Sequence, residues 1–193
     1  MLGPLILHTA DIVRLTDDEL FRLCAANRDL QIERDAQGDL IIMSPSGGET
    51  SARNGLLIAE LVIWNREEGL GKAFDSNGGF LLPNGAMRAP DASWIPIARW
   101  NQLSEAQRKK FLPLCPDFVI ELRSPSDRLA DVQKKMQEWM ENGCRLGWLI
   151  DPVEEKTYVY RETGDNTVVD SFDETLSGDD VLPGFALDLT ILR

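Results

Sequence analysis

The chain has 193 residues, 43% apolar and 27% charged, with 32 Asp and Glu against 20 Lys and Arg for a formal net charge of −12. That length suits a single domain over 1–193, and that apolar content excludes a disordered chain. The acidity counts against a general nucleic-acid coat, which needs a basic footprint. A sole histidine, His8, excludes sites that draw on two or more.

Cys24, Cys115 and Cys144 form no C-x-x-C pair and do not read as a disulfide framework, so a reduced cytoplasmic setting is expected. Met1-Leu2-Gly3-Pro4 opens with no basic region and no long apolar stretch follows, so no signal peptide is expected. The longest apolar stretch, 56–64, is interrupted by Glu60 and is too short to span a bilayer, so no membrane association is expected.

In chain order, Thr16 with Glu19 three residues on reads as a capping box for a helix to about Asn27. Residues 30–34 and 39–43 flank Asp35-Ala36-Gln37-Gly38, a loop of hairpin composition. After the turn-rich Ser44-Pro45-Ser46-Gly47-Gly48, a helix runs from Glu49 to about Glu67 and is stopped by Gly69 and Gly71. Strands follow at 72–75 and 80–82, then an extended segment at 87–95 after the Asn84-Gly85 turn. The clearest strand is 117–123, with Phe118, Ile120 and Leu122 on one side and Val119, Glu121 and Arg123 on the other. A helix over 126–142, a strand over 146–150 and a hairpin from 157–160 and 167–170 complete the reading. Strands interleaved with helices predict an α/β domain with a mixed sheet.

The chemistry concentrates in Pro90-Asp91 and Glu121-Leu122-Arg123. Two carboxylates at neighbouring strand ends suit a hard divalent cation, which takes oxygen ligands and keeps waters. Asp117 shares Glu121's strand face, but four residues at about 3.3 Å each separate them by roughly 13 Å, too far to share an ion. Asp91 is therefore the better partner, and Asp117 a strand-start residue. On the following helix the apolar stripe is Leu129, Val132, Met136, Trp139 and Met140. Lys134 points away from that stripe, whereas Lys135 lies on its flank, able to look along the sheet edge.

Pro90-Asp91, Glu121-x-Arg123 and Lys135-x-x-x-Trp139 together resemble the PD-(D/E)XK nuclease superfamily, the restriction-endonuclease-like fold. The stretches 116–126 and 146–152, with Pro45 to Thr50, Pro90 to Trp94 and Leu182-Pro183-Gly184-Phe185, are similar to its Uma-type family of bacterial endonucleases. The resemblance covers nearly the whole chain. It implies Mg²⁺- or Mn²⁺-dependent phosphodiester hydrolysis in DNA, with Asp91, Glu121 and the Leu122 carbonyl as metal ligands. The superfamily usually carries Lys two residues past the acid; here Arg123 stands there and cannot act as a base. Lys135 is the candidate to take that role, so the implied catalytic set is Asp91, Glu121, Arg123 and Lys135.

Three acids stay open as further members: Glu33 before the hairpin turn, which reads as strand surface, and Glu49 and Glu60 on the long helix. Two other readings remain beside the nuclease. One is a catalytically silent binding or regulatory protein on the same fold, motivated by Arg123 and the acidity; the other is a small-molecule hydrolase using the acid pair. The apolar strands and appended hairpin also offer surfaces on which a homodimer can form.

Overall fold

The structure is a computed structural model that describes residues 4–193; residues 1–3, part of the reading against a signal peptide, lie outside the described residues. The chain opens with β1 (Leu5–Leu7) and α1 (Asp17–Ala26). Thr16 caps α1 as expected, its hydroxyl accepting from the Glu19 N–H while its own N–H donates to Glu19 Oε2 at 2.8 Å. β2 (Gln31–Arg34) and β3 (Leu40–Met43) form the expected hairpin, and β1 adds to the outer edge of β3. α2 (Gly48–Glu68) stops at Gly69, whose φ of 69° lies in the left-handed region that glycine adopts without a Cβ clash.

β4 (Gly71–Asp75) and β5 (Phe80–Leu81) follow, then β6 (Met87–Arg88) and β7 (Ala92–Pro96). The single extended segment expected over 87–95 is thus two strands, and they belong to different sheets. The break falls at Ala89-Pro90-Asp91, where proline has no N–H to continue a ladder. α3 (Ile97–Gln102) and α4 (Glu105–Arg108) lead to β8 (Phe118–Leu122), α5 (Leu129–Glu141) and β9 (Leu146–Asp151). α5 begins at Leu129 rather than Ser126, because the Asp127 carboxylate turns back to accept from the Ser124 N–H at 2.9 Å and hydroxyl at 2.7 Å. β10 (Lys156–Arg161) and β11 (Thr167–Val169) make the expected hairpin. A second hairpin of β12 (Thr175–Ser177) and β13 (Ala186–Asp188) and a closing 3-10 turn over Leu189–Leu192 were not legible in the sequence; nor were β1 and α3, whereas Arg108-Lys109-Lys110 reads as a helix end and closes α4.

An antiparallel five-stranded sheet has the order β1-β3-β2-β6-β5, and a mixed six-stranded sheet the order β11-β10-β9-β8-β7-β4. β8 and β9 are parallel and joined by α5. All five residues of β8 are buried, as both faces of the sheet are covered. Phe118, Ile120 and Leu122 face the core shared with α2 and the second hairpin, while Val119 packs with Met136 and Trp139 of α5. A Cβ on Gly147 would lie 2.4 Å from Met136 Cε, so this glycine lets α5 sit close on β9. Among the described residues no helix is long and apolar enough to cross a membrane.

Candidate active site

The two sheets meet where β6 runs into β7, and that junction carries Asp91 to the end of β8. Asp91 Oδ2 accepts the Leu122 N–H at 2.7 Å, and its Oδ1 accepts from Asn54 Nδ2 of α2, also at 2.7 Å. Continuing the β7–β8 register past Ala92↔Ile120 sets Pro90 across from Leu122. Proline offers no donor to the Leu122 carbonyl, which faces the same edge as the Leu122 N–H. The neighbouring Arg123 N–H turns the other way, to Ile150 O of β9 at 2.9 Å.

Glu121 points to the opposite face of β8, under α5. Trp139 Nε1 donates to Glu121 Oε1 at 2.8 Å, and Lys135 Nζ lies 2.9 Å from the same oxygen. Four-residue spacing on α5 brings Lys135 and Trp139 to one carboxylate. Lys135 Nζ also donates to Glu33 Oε1 at 2.9 Å and to Ala89 O at 3.3 Å. Glu33 is 4% exposed, so the expectation of a surface strand position does not hold. β2 lies beside β6, and this pairing sets Glu33 against Arg88 Nη1 and the Ala89 N–H, each at 3.0 Å. Arg88 Nε in turn donates to Glu138 Oε2 of α5 at 2.6 Å.

Burial pushes the Glu121 carboxyl up to about 7 against the pull of Lys135, with Asp91 and Glu33 adding to the rise. Burial also raises Asp91, opposed by the Leu122 N–H and Lys135. At Glu33 the cost of burial is outweighed by Lys135, Arg88 and the Ala89 N–H, which hold it below the usual carboxylate range. At Lys135 the loss of water is outweighed by Glu121 and Glu33, so the ammonium is raised and stays protonated. Lys135 donates from Nζ to Glu33, Glu121 and Ala89 O.

Four carboxylates, Glu33, Asp91, Glu121 and Glu138, face two cations, Lys135 and Arg88. Two negative charges are left over when all are ionised, the charge a divalent cation neutralises. The residues fit Mg²⁺ or Mn²⁺ in kind: carboxylates and a carbonyl without a ladder donor are hard oxygens. Among the described residues no group of three His, Cys, Asp or Glu side chains stands together as a metal cage. Asp91 and Asn54 also line a cavity of about 510 Å³, together with Gln31, Met43, Ser51, Gly55 and Ile58. Among the described residues Asn54 Oδ1 is buried there without a partner.

The structure gathers Asp91, Glu121, Leu122 and Lys135, and adds Glu33, which had been left open. Arg123 does not join them: it lies one residue past β8 and donates from Nη1 to Asp151 Oδ2 at 2.6 Å and from Nε to Asp127 O at 3.2 Å. Its guanidinium is taken by Asp151 of the neighbouring strand β9 and makes no ion pair with Glu121. Glu49 is exposed and pairs with Arg53, and Glu60 sits at the margin of α2's buried face. Asp117 is salt-bridged to Arg99, away from Glu121's partners. Arg108 stacks on Trp100 and Lys110 pairs with Asp18. His8 pairs with Asp39 at 2.7 Å, on the surface. Sequence reasoning missed Asn54 and Arg88; Asn54 shares a helix face with Leu57 and Leu61, a polar residue where the apolar stripe predicts core.

The model of the Uma2 family, described as "Putative restriction endonuclease", matches residues 17–190. A crystal structure of "a putative nuclease belonging to DUF820" from Anabaena variabilis matches with a TM-score of 0.76 at 22% identity, covering 92% of this chain and 97% of that one. At that identity the likeness shows the fold. No curated protein matches.

Proposed function

The chain belongs to the Uma2 family and has the restriction-endonuclease-like fold, and from this we propose that it is a divalent-metal-dependent endonuclease hydrolysing phosphodiester bonds in DNA. Asp91, Glu121 and the Leu122 carbonyl are its metal ligands in this reading, and Lys135 its catalytic cation. The observation that carries it is the Asp91–Leu122 contact beside the Lys135–Glu121 pair, which joins two carboxylates, one carbonyl and one ammonium at the end of β8. A bound Mg²⁺ or Mn²⁺ supplies a polarised water and a Lewis acid for the phosphodiester.

The chain's own groups do the rest. The Leu122 N–H and Asn54 fix the rotamer of Asp91, and Trp139 fixes Glu121. Lys135, held protonated, offsets charge that develops on the phosphate. The free thiols of Cys24, Cys115 and Cys144 suit a reducing cytoplasm.

Calorimetric titration of Mn²⁺ into the wild type and Asp91→Asn, followed by plasmid nicking on the same samples, tests the reading. Binding and nicking by the wild type, both lost in the variant, are the expected results. Binding unchanged by the substitution overturns the ligand assignment. A second reading, a silent binding protein on the same fold, is favoured by Arg123's commitment to Asp151, which leaves β8 without a cation of its own at the site. Metal binding without nicking on any DNA form selects it.

A further inference from the structure

We propose that Glu33 is a positioning residue that gives Lys135 a second anionic partner, so that Lys135 can release Glu121 to a divalent cation. The inference rests on the metal-dependent reading above and concerns how this chain's own residues prepare for the ion.

Lys135 Nζ stands 2.9 Å from Glu33 Oε1 and 2.9 Å from Glu121 Oε1, with Ala89 O at 3.3 Å. An ammonium has three donors, and these three acceptors use them. The two carboxylates are not equivalent, however. Glu33 is anchored from every side: Oε2 takes Arg88, Oε1 takes the Ala89 N–H, and Arg88 is itself held by Glu138. Among the described residues Glu121 has only Trp139 besides Lys135 as side-chain donors.

A cation arriving at Glu121 must displace the ammonium. With Glu33 present, Lys135 lets go of Glu121 and keeps an ionised partner, so no buried charge is left unpaired. Without that carboxylate, Lys135 has Glu121 as its single anionic partner, and removing it strands a buried ammonium at high cost. Glu33 also receives the Ala89 N–H two residues before Asp91, so the same side chain steadies the segment that delivers the second carboxylate. The five-stranded sheet thereby acts on the site without lending it a ligand.

The test is a double-mutant cycle read by Mn²⁺ calorimetry on wild type, Glu33→Gln, Lys135→Met and the double variant, with folding checked by circular dichroism. Glu33→Gln is expected to weaken Mn²⁺ binding about tenfold in the wild-type background. In the Lys135→Met background the same change is expected to weaken it less than about twofold, because the effect runs through Lys135. Equal losses in both backgrounds, or no loss in either, overturn the inference while leaving the metal reading intact. No binding by the wild type overturns both. If Glu33→Gln does not fold, Glu33→Asp carries the same cycle: it keeps the charge beside Arg88 and draws back from Lys135, with an expected loss of about threefold that vanishes in the Lys135→Met background. A purely structural role for Glu33 lowers stability without this coupling.

Discussion

Asp91 takes the Leu122 N–H with its side chain, at 2.7 Å, where the β7–β8 ladder would call on a backbone carbonyl. A candidate ligand is thus also a piece of the sheet. Asp91→Ala strips the partner from the Leu122 N–H and from Asn54 Nδ2 together, and each unsatisfied buried donor costs about 1–3 kcal/mol. Asp91→Asn keeps an oxygen that can accept the Leu122 N–H and loses the charge. Urea unfolding is expected to rank the alanine variant well below the asparagine variant, with Mn²⁺ binding absent in both. Equal stabilities would mean the contact contributes nothing to β8.

Arg123 lies two residues past Glu121, but its guanidinium is spent on Asp151, which is wholly buried and fully dependent on local partners. The second Asp151 oxygen accepts the Val153 and Glu154 N–H groups and so fixes the turn after β9. Arg123→Met leaves a buried carboxylate without its cation and is expected to cost about 3 kcal/mol in chemical denaturation. Mn²⁺ affinity in the folded variant is expected to stay within about twofold, since the guanidinium is bonded to Asp151 and Asp127 O and to none of the proposed ligands. A large loss of metal affinity or nicking with unchanged stability would return Arg123 to the catalytic group.

Local signals made much of this fold legible. The Thr16–Glu19 capping box, the alternation of β8 and the helix breaker at Gly69 each depend on residues a few positions apart. Asp91, Glu121, Leu122 and Lys135 were legible because their dipeptides and spacings resemble a known series. Glu33 was not, because its burial is created by partners 55 and 102 residues away. The switch of sheets at Pro90 was hidden for a related reason: 87–95 reads as one extended segment in the sequence, and nothing local says that its two halves pair with different neighbours. β12 and β13 have three residues each, too short for an alternation pattern.

The thiols offer a test of the core independent of the site. Burial pushes Cys115 up to about 12 from 9.0, and Cys144 well above its ordinary value. A group whose folded value is raised stabilises the fold fully below its unfolded value, and that contribution is lost as pH rises through the folded one. Stability from Cys115 is therefore intact below pH 9.0 and declines as pH climbs towards about 12. Comparing wild type with Cys115→Ala in urea at pH 8 and pH 10.5 is expected to show the wild type losing more over that interval. In native protein at pH 8, a thiol reagent is expected to modify Cys24, which is half-buried, well before Cys115 or Cys144, which are buried. Simultaneous reaction of all three would contradict the packing around β8 and α5.

Trp139 separates packing from polarity at Glu121. Its ring is fully buried beside Phe80, and among the described residues its Nε1–H is the one neutral donor on Glu121 Oε1, at 2.8 Å. Trp139→Phe keeps most of the ring and deletes the donor, so hydrogen bonding to a charged group is lost at about 1.5–3 kcal/mol, with a further cost for the smaller ring. With that donor gone, Glu121 leans on Lys135 alone, and its carboxylate is free to rotate about its last torsion. Mn²⁺ affinity is then expected to fall by roughly tenfold, the usual size of an effect from a group that orients a ligand. Trp139→Leu adds a cavity and lowers stability further, but it removes the same single donor. The two variants should therefore differ in melting temperature and agree in metal affinity once each is measured well below its transition. Metal affinity that tracks stability across the pair, rather than the loss of the indole N–H, would show that Trp139 serves the core alone.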